Sequence, residues 1–173
     1  MPPHDGAGRV VDWPAVERAW GVVFPSDYRE FVSVYGAGTV GNAEIEGDMD
    51  EETEAAREEW EDGFATHPEG MDPKSGGLVA WGVDAAGDVL CWFTAGADPD
   101  SWPVLLYSRR TDRWTLYRCG MATFLCKLFQ AELYLYPLSF PEHVREAAPR
   151  FLTRAEERRI RDSGTNAWSG AAL

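Results

Sequence analysis

The chain has 173 residues, of which 45% are hydrophobic and 13% aromatic, so it is long and apolar enough to fold as one domain with its own core. Its 16 basic and 29 acidic residues give a net charge of −13 at pH 7. That charge repels a nucleic-acid backbone and an anionic membrane surface, and it attracts a basic protein. The composition therefore argues against nucleic-acid and membrane binding and favours a positively charged protein partner.

The three cysteines are too scattered for a disulfide framework or a zinc site. Cys91 and Cys126 lie in apolar runs, where a free thiol behaves as a small hydrophobe, and Cys119 stands apart. No N-terminal apolar segment resembles a secretory signal, and no run of about twenty apolar residues is present to span a bilayer. These features predict a cytoplasmic protein in a reducing compartment.

Two short helices are predicted after a flexible tail at residues 1–10. Asp12 is suited to cap the first helix, and Gly21 is suited to end it. Ser26 or Asp27 is predicted to cap the second helix, which carries an apolar stripe at helical spacing.

An antiparallel sheet is predicted in the middle of the chain, because short runs of β-branched and aromatic residues are separated by turn residues. The predicted strands form two hairpins and span residues 78–83, 89–93, 104–108 and 114–118. Residues 42–46 alternate weakly and are predicted to form an edge strand. A wide apolar stripe over residues 121–133 predicts a helix that lies across the sheet.

The predicted fold class is α+β, because helices, consecutive strands and a further helix follow one another without the alternation of a doubly wound sheet. It comprises an N-terminal helix pair, an antiparallel sheet of about four to six strands, a helix packed on the sheet and a C-terminal helical extension. The predicted domain spans residues 11–137. Residues 138–173 are predicted to form the helical extension and a loose end, and Thr153 and Glu156 have the spacing of a capping box.

Between Glu44 and Asp62 the chain carries eleven carboxylates and a single base, Arg57. A calcium loop that begins at Asp48 would have a glutamate at its twelfth position, as required, but its sixth position is Thr53 rather than glycine. The segment is also compatible with a solvated helix. The sequence therefore argues against a dedicated metal site here.

No motif with a catalytic mechanism is present, and no catalytic, cofactor-binding or metal-ligating residue is predicted. The three histidines are scattered, and none lies in a nucleophile motif; they are His4, His67 and His143. The glycines of residues 36–43 follow a helix and precede a strand, which is the reverse of the order in a dinucleotide-binding loop. The chain is therefore predicted not to be an enzyme and to need no cofactor.

The segment from Trp13 to Gly38 resembles the opening of the SUKH superfamily, which contains yeast glucan-synthesis regulators and many bacterial immunity proteins. The matching motifs are Val16-Glu17, Trp20-Gly21, Phe24-Pro25-Ser26-Asp27-Tyr28, Phe31 and Tyr35-Gly36-Ala37-Gly38. A similar layout continues downstream with Trp81, Asp84, Gly87, Trp92, Phe124 and Leu125. The resemblance covers residues 11–133, and the spacing of its aromatic residues predicts a core rather than a binding surface.

The resemblance implies a protein that binds and neutralises a cognate bacterial polymorphic toxin, a basic nuclease or deaminase domain, by direct protein–protein contact. The acidic insert at residues 47–63 is interpreted as the interface, with Trp60 as an aromatic anchor inside a charged rim. The predicted partner-binding residues are Glu46, Asp48, Asp50, Glu51, Glu52, Glu54, Trp60 and Glu61.

Three alternatives stay open at this point. The chain is also compatible with a regulatory scaffold of the same superfamily that binds several partners, or with an acidic metal-binding protein built on residues 44–62. The acidic insert is equally compatible with a solvated connector that has no partner, because charge runs are usually solvated surface.

Overall fold

The structure, a computed structural model, describes residues 10–40, 43–45, 49–62, 64–130, 132–133, 138, 151–167 and 172. Five α-helices lie within these ranges: α1 (Trp13–Trp20), α2 (Ser26–Tyr35), α3 (Asp50–Asp62), α4 (Met121–Phe129) and α5 (Arg154–Asp162). The helix predicted over residues 121–133 is α4, which ends at Phe129, about one turn earlier than predicted. The α+β class is confirmed.

Within the same ranges, seven strands form one antiparallel sheet in the order β6-β5-β4-β3-β2-β1-β7. Their bounds are β1 (Gly38–Val40), β2 (Ala43–Ile45), β3 (Gly77–Asp84), β4 (Val89–Thr94), β5 (Val104–Ser108), β6 (Arg113–Tyr117) and β7 (Phe151–Thr153). The two predicted hairpins are confirmed as β3–β4 and β5–β6. The prediction of an edge strand at residues 42–46 is wrong in position, because β2 lies inside the sheet between β1 and β3.

The first helix begins and ends as its sequence predicts. Asp12 accepts a hydrogen bond from the Ala15 amide at 3.2 Å, and Gly21 ends α1 with a left-handed φ of 68°. The predicted cap of α2 is wrong, since neither Ser26 nor Asp27 caps it with its side chain. The Ser26 amide instead donates to the Asp100 carboxylate at 2.6 Å, a partner 74 residues away in the chain.

The seventh strand comes from the segment that was predicted to form a helical extension and a loose end. β7 pairs antiparallel with β1, and Phe151 packs in the main core. The two strands approach closely at Gly38, where a Cβ would overlap the Leu152 carbonyl oxygen and the Phe151 ring. The predicted capping box is confirmed, with Thr153 and Glu156 bonded reciprocally at the start of α5.

Both faces of the sheet are covered. On one face, alternate residues of β3, β4 and β5 pack against α1, α2 and α4 in a core that includes Trp81, Trp92 and Leu106. On the other face, the intervening residues pack against α3 in a second core that includes Phe93, Leu105 and Trp114. The domain therefore has three layers, and the acidic insert supplies the third.

The three cysteines differ in how far they are buried. Cys91 is fully buried in the second core, as predicted for a thiol that behaves as a small hydrophobe. Desolvation there raises the pKa of its thiol. The same prediction is wrong for Cys126, which lies on the outer face of α4 and is exposed. Cys119 is half-buried, and burial raises the pKa of its thiol as well.

Candidate functional site

The acidic insert forms a helix with one buried face. Met49, Thr53, Ala56 and Trp60 recur at intervals of four, three and four residues, which places them on a single stripe. All four are buried, at 2–4% exposure. Two of them are small, so the stripe is weakly apolar and the segment reads from its sequence as polar throughout.

Two side chains of α3 bond to the backbone of β3. Because β2 pairs only with Gly82–Asp84 among the described residues, the first half of β3 has an unpaired edge on that side. Thr53 accepts a hydrogen bond from the Ala80 amide at 3.0 Å, and Arg57 donates through Nε to the Leu78 carbonyl at 2.9 Å. α3 thus supplies the partners that a neighbouring strand would supply, and its position is defined by polar as well as apolar contacts.

The opposite face of α3 is a continuous acidic surface. Its exposed carboxylates are Asp50, Glu51, Glu54, Glu58 and Glu61. We call this set the acidic face. Glu52 and Glu59 border it and are half-buried. Of the predicted partner-binding residues, Glu46 and Asp48 lie outside the described residues.

Trp60 does not lie at the surface, so the expectation of an exposed aromatic anchor is wrong for this residue. Its side chain is 2% exposed. Its ring centroid lies 4.3 Å from that of His67, 5.1 Å from Trp114 and 5.9 Å from Phe93. Trp60 therefore holds the acidic face against the sheet from beneath.

A calcium loop does not fit this geometry. The ligands of such a loop must turn around the ion, whereas Asp50–Asp62 is a regular helix and Thr53 is committed to the Ala80 amide. Within the described part of the chain, no three His, Cys, Asp or Glu side chains are grouped so as to hold a metal ion. No helix there is long and apolar enough to cross a membrane.

A model of a known family matches more than half of this chain. A SUKH_6 family model, described as SMI1-KNR4 cell-wall, matches residues 12–125, which run from the cap of α1 into α4. The chain belongs to the SUKH family. No curated protein and no solved structure is similar enough to this chain to count as a match.

The SUKH motif residues of this chain build the core between α1, α2 and the sheet. Phe24 and Tyr28 contact at a ring-centroid distance of 5.5 Å, and Tyr28 meets Trp92 of β4 edge-on at 4.9 Å. Glu17 accepts a hydrogen bond from the Phe24 amide at 3.2 Å and so ties α1 to the corner before α2. These contacts give the motif a packing role.

Asp27 has a further role that its position in the SUKH motif does not reveal. Its Oδ2 accepts a hydrogen bond from the Ala122 amide at 2.9 Å, in the first turn of α4. The residue that precedes α4 is Gly120, which has no side chain to cap the helix, and a Cβ there would lie 2.8 Å from Asp27 Oδ2. Asp27 therefore caps α4 from α2, and its charge faces the positive end of the helix dipole.

Replacing Asp27 by alanine should lower the free energy of unfolding by about 1–3 kcal/mol, because the Ala122 amide loses its acceptor in a half-buried setting. Asp27→Asn should lose less, since an amide oxygen still accepts the bond. Urea denaturation followed by circular dichroism measures both. Glu30→Gln, an exposed change on the same helix, is the control. Equal stability of Asp27→Ala and the control would contradict the capping role.

Proposed function

We propose that this SUKH-family chain is an immunity protein that binds a cognate bacterial polymorphic toxin and neutralises it by direct contact, with no chemistry of its own. The observation that carries the proposal is the acidic face of α3, presented on a domain whose net charge is −13. In this proposal the protein acts in the cytoplasm, where a nuclease or deaminase toxin has its substrate.

The partner that suits such a face is basic. A domain that cuts or deaminates nucleic acid needs clustered Lys and Arg to hold the phosphate backbone. An acidic surface attracts that cluster from a distance, accelerates association and competes with the substrate for the same charges. The face is also preorganised, because α3 is bonded to β3 through Thr53 and Arg57 and little ordering is needed on binding.

The proposed contact residues follow from exposure. Asp50, Glu51, Glu54 and Glu61 are predicted partner-binding residues that lie on the acidic face, and Glu58 joins them there. We retain Glu52 at the border of the interface, and Glu46 and Asp48 as proposals from the sequence. Trp60 contributes by supporting the helix and not by touching the partner.

Co-expression tests the proposal. The proposal predicts that a polymorphic-toxin gene lies beside this gene. Cells that express its toxin domain should survive when the full chain is co-expressed, and the purified pair should form a stoichiometric complex. Raising the salt concentration from 50 mM to 500 mM should weaken the complex, because exposed charges are screened over a few ångströms at the higher value. Failure of the neighbouring toxin domain to bind at micromolar concentration would refute the proposal.

A regulatory scaffold is the second candidate, favoured by the cell-wall wording of the matching family description. Such a protein would bind several partners without inhibiting any of them. Affinity capture that returns several unrelated proteins, together with no protection against a toxin, would support it. The metal-binding alternative has little support from a helical insert, and calorimetry with millimolar Ca²⁺ or Mg²⁺ would detect it if it were correct.

A further inference from the structure

We propose that Phe64 is the apolar anchor of the partner-binding surface, and that it inserts into an apolar pocket with a basic rim on the partner protein. The inference rests on the proposed function, because it assigns the contact that holds the toxin after charge has steered it. The anchor role that the sequence suggested for Trp60 passes in this proposal to the residue four positions further along the chain.

Exposure is the first observation. Phe64 is 86% exposed, and among the described residues the other large apolar side chains with comparable exposure are Val10 at 102% and Val23 at 51%. A single exposed apolar residue is common and by itself indicates nothing. An aromatic ring is different when its backbone is held rigidly and its surroundings are charged, because aromatic residues dominate interface hot spots.

The backbone beside Phe64 is held on two sides. Ala65, the next residue, is buried at 3% exposure. Thr66 forms a short bridge with the edge strand β6, donating to the Asp112 carbonyl at 3.0 Å and accepting from the Trp114 amide at 2.8 Å. His67 hydrogen-bonds through Nε2 to the Trp60 carbonyl at 2.9 Å, which ties the same segment back to α3. A side chain on such a segment loses little backbone entropy on binding.

Asp112, whose carbonyl accepts the hydrogen bond from the Thr66 amide, is itself in an unusual conformation. Asp112 has a φ of 50°, a left-handed value that non-glycine residues adopt rarely. Its carboxylate accepts a hydrogen bond from the Tyr107 hydroxyl at 2.9 Å. Burial, together with that bond, raises the pKa of Tyr107 to about 12. The strained turn is thus maintained at the position that holds the segment next to Phe64.

Charge selects the occupant. Glu58 and Glu61 precede Phe64 on the exposed side of α3, and the last turn of that helix has no basic residue. The C-terminal end of a helix adds partial negative charge at the same place. Arg109 of the turn before β6 lies against Gly87 of the β3–β4 turn. Arg110 and Arg113 are exposed, and Arg113 is the bridge partner of Thr66 on the β6 side of Phe64. A basic rim on the side of the partner's pocket that faces α3 therefore matches the carboxylates that precede Phe64, whereas a second copy of this chain, with its own charge of −13, is repelled.

The test compares two exposed apolar residues. Val23 lies at the α1–α2 corner, away from α3 in the chain. The variants Phe64→Ser and Val23→Ser are each titrated against the toxin domain encoded beside this gene, by calorimetry and surface plasmon resonance. Phe64→Ser should raise Kd by about 30-fold or more, through faster dissociation, with the salt dependence unchanged. Val23→Ser should stay within about twofold of the unmodified chain, and Phe64→Trp should retain most of the affinity. Neither serine variant should alter Tm appreciably, because both side chains are exposed.

The outcomes separate this inference from the function on which it rests. If the unmodified chain binds the toxin domain but Phe64→Ser behaves like Val23→Ser, the anchor is refuted and the immunity function stands. If the unmodified chain does not bind, both are refuted. Sedimentation of the chain alone adds a third arm, because self-association that Phe64→Ser abolishes would make a second copy the occupant and overturn the proposal.

Discussion

Replacing Trp60 by alanine should lower the free energy of unfolding by about 3–5 kcal/mol, the range found when a large buried aromatic side chain is truncated. The side chain is 2% exposed and fills the space between α3 and the second face of the sheet. Its loss leaves a cavity against Phe93 of β4 and Trp114 of β6, which these paired strands are too constrained to close.

Denaturation by urea, followed by far-ultraviolet circular dichroism, measures this loss without relying on the fluorescence of the residue that is replaced. Phe64→Ala is the matched control, because it removes an aromatic ring four residues away that is 86% exposed, and it should change stability by no more than about 0.5 kcal/mol. Trp60→Phe should fall between the two. Similar stability in Trp60→Ala and Phe64→Ala would mean that α3 does not pack on the sheet as described.

Neutralising the C-terminal half of the acidic face should slow toxin binding while leaving the fold at least as stable. In the triple variant Glu54→Gln, Glu58→Gln and Glu61→Gln, the association rate at low salt should fall by about tenfold or more, because steering depends on local charge. Stability should hold or rise slightly for two reasons. Glu54 and Glu58 are like charges one turn apart and repel each other. Glu61 lies in the last turn of α3, where the negative end of the helix dipole repels its charge.

The matched control removes the same number of charges elsewhere. Glu30→Gln, Glu132→Gln and Asp162→Asn are exposed changes outside α3 that alter the net charge equally. Stopped-flow association at several salt concentrations should show a reduced rate and a shallower salt dependence for the α3 variant and a near-normal rate for the control. Equal rates in both variants would show that the acidic face is solvated surface that takes no part in binding. Unchanged or slightly higher stability of the α3 variant is expected in either case.

The sequence predicted well those features whose partners are close in the chain. The Asp12 cap, the Gly21 stop, both hairpins and the Thr153–Glu156 capping box each depend on groups within a few residues of one another, and each is confirmed. The resemblance to the SUKH family is confirmed for a similar reason, because its motifs are contiguous segments that set local packing.

Features with distant partners were missed or misplaced. The α2 amide bonded to Asp100 and the α4 amide bonded to Asp27 involve side chains 74 and 95 residues away, and nothing local indicates either contact. β7 is three residues long and becomes a strand because β1 offers an unpaired edge beside Gly38. Such pairings depend on the assembled sheet and not on strand propensity.

For the acidic insert, the charge can be read from the sequence alone: eleven carboxylates with one arginine between Glu44 and Asp62, on a chain of net charge −13. The direction in which that segment faces depends on the tertiary structure. Thr53 and Ala56 are too small to mark an apolar stripe, so Trp60 was interpreted as an aromatic anchor inside a charged rim. Both faces of the sheet carry apolar side chains, and those of the second core must be shielded from water by another element. α3 provides it, because its few small and aromatic residues share one side, and the carboxylates are thereby directed to solvent on a rigid support.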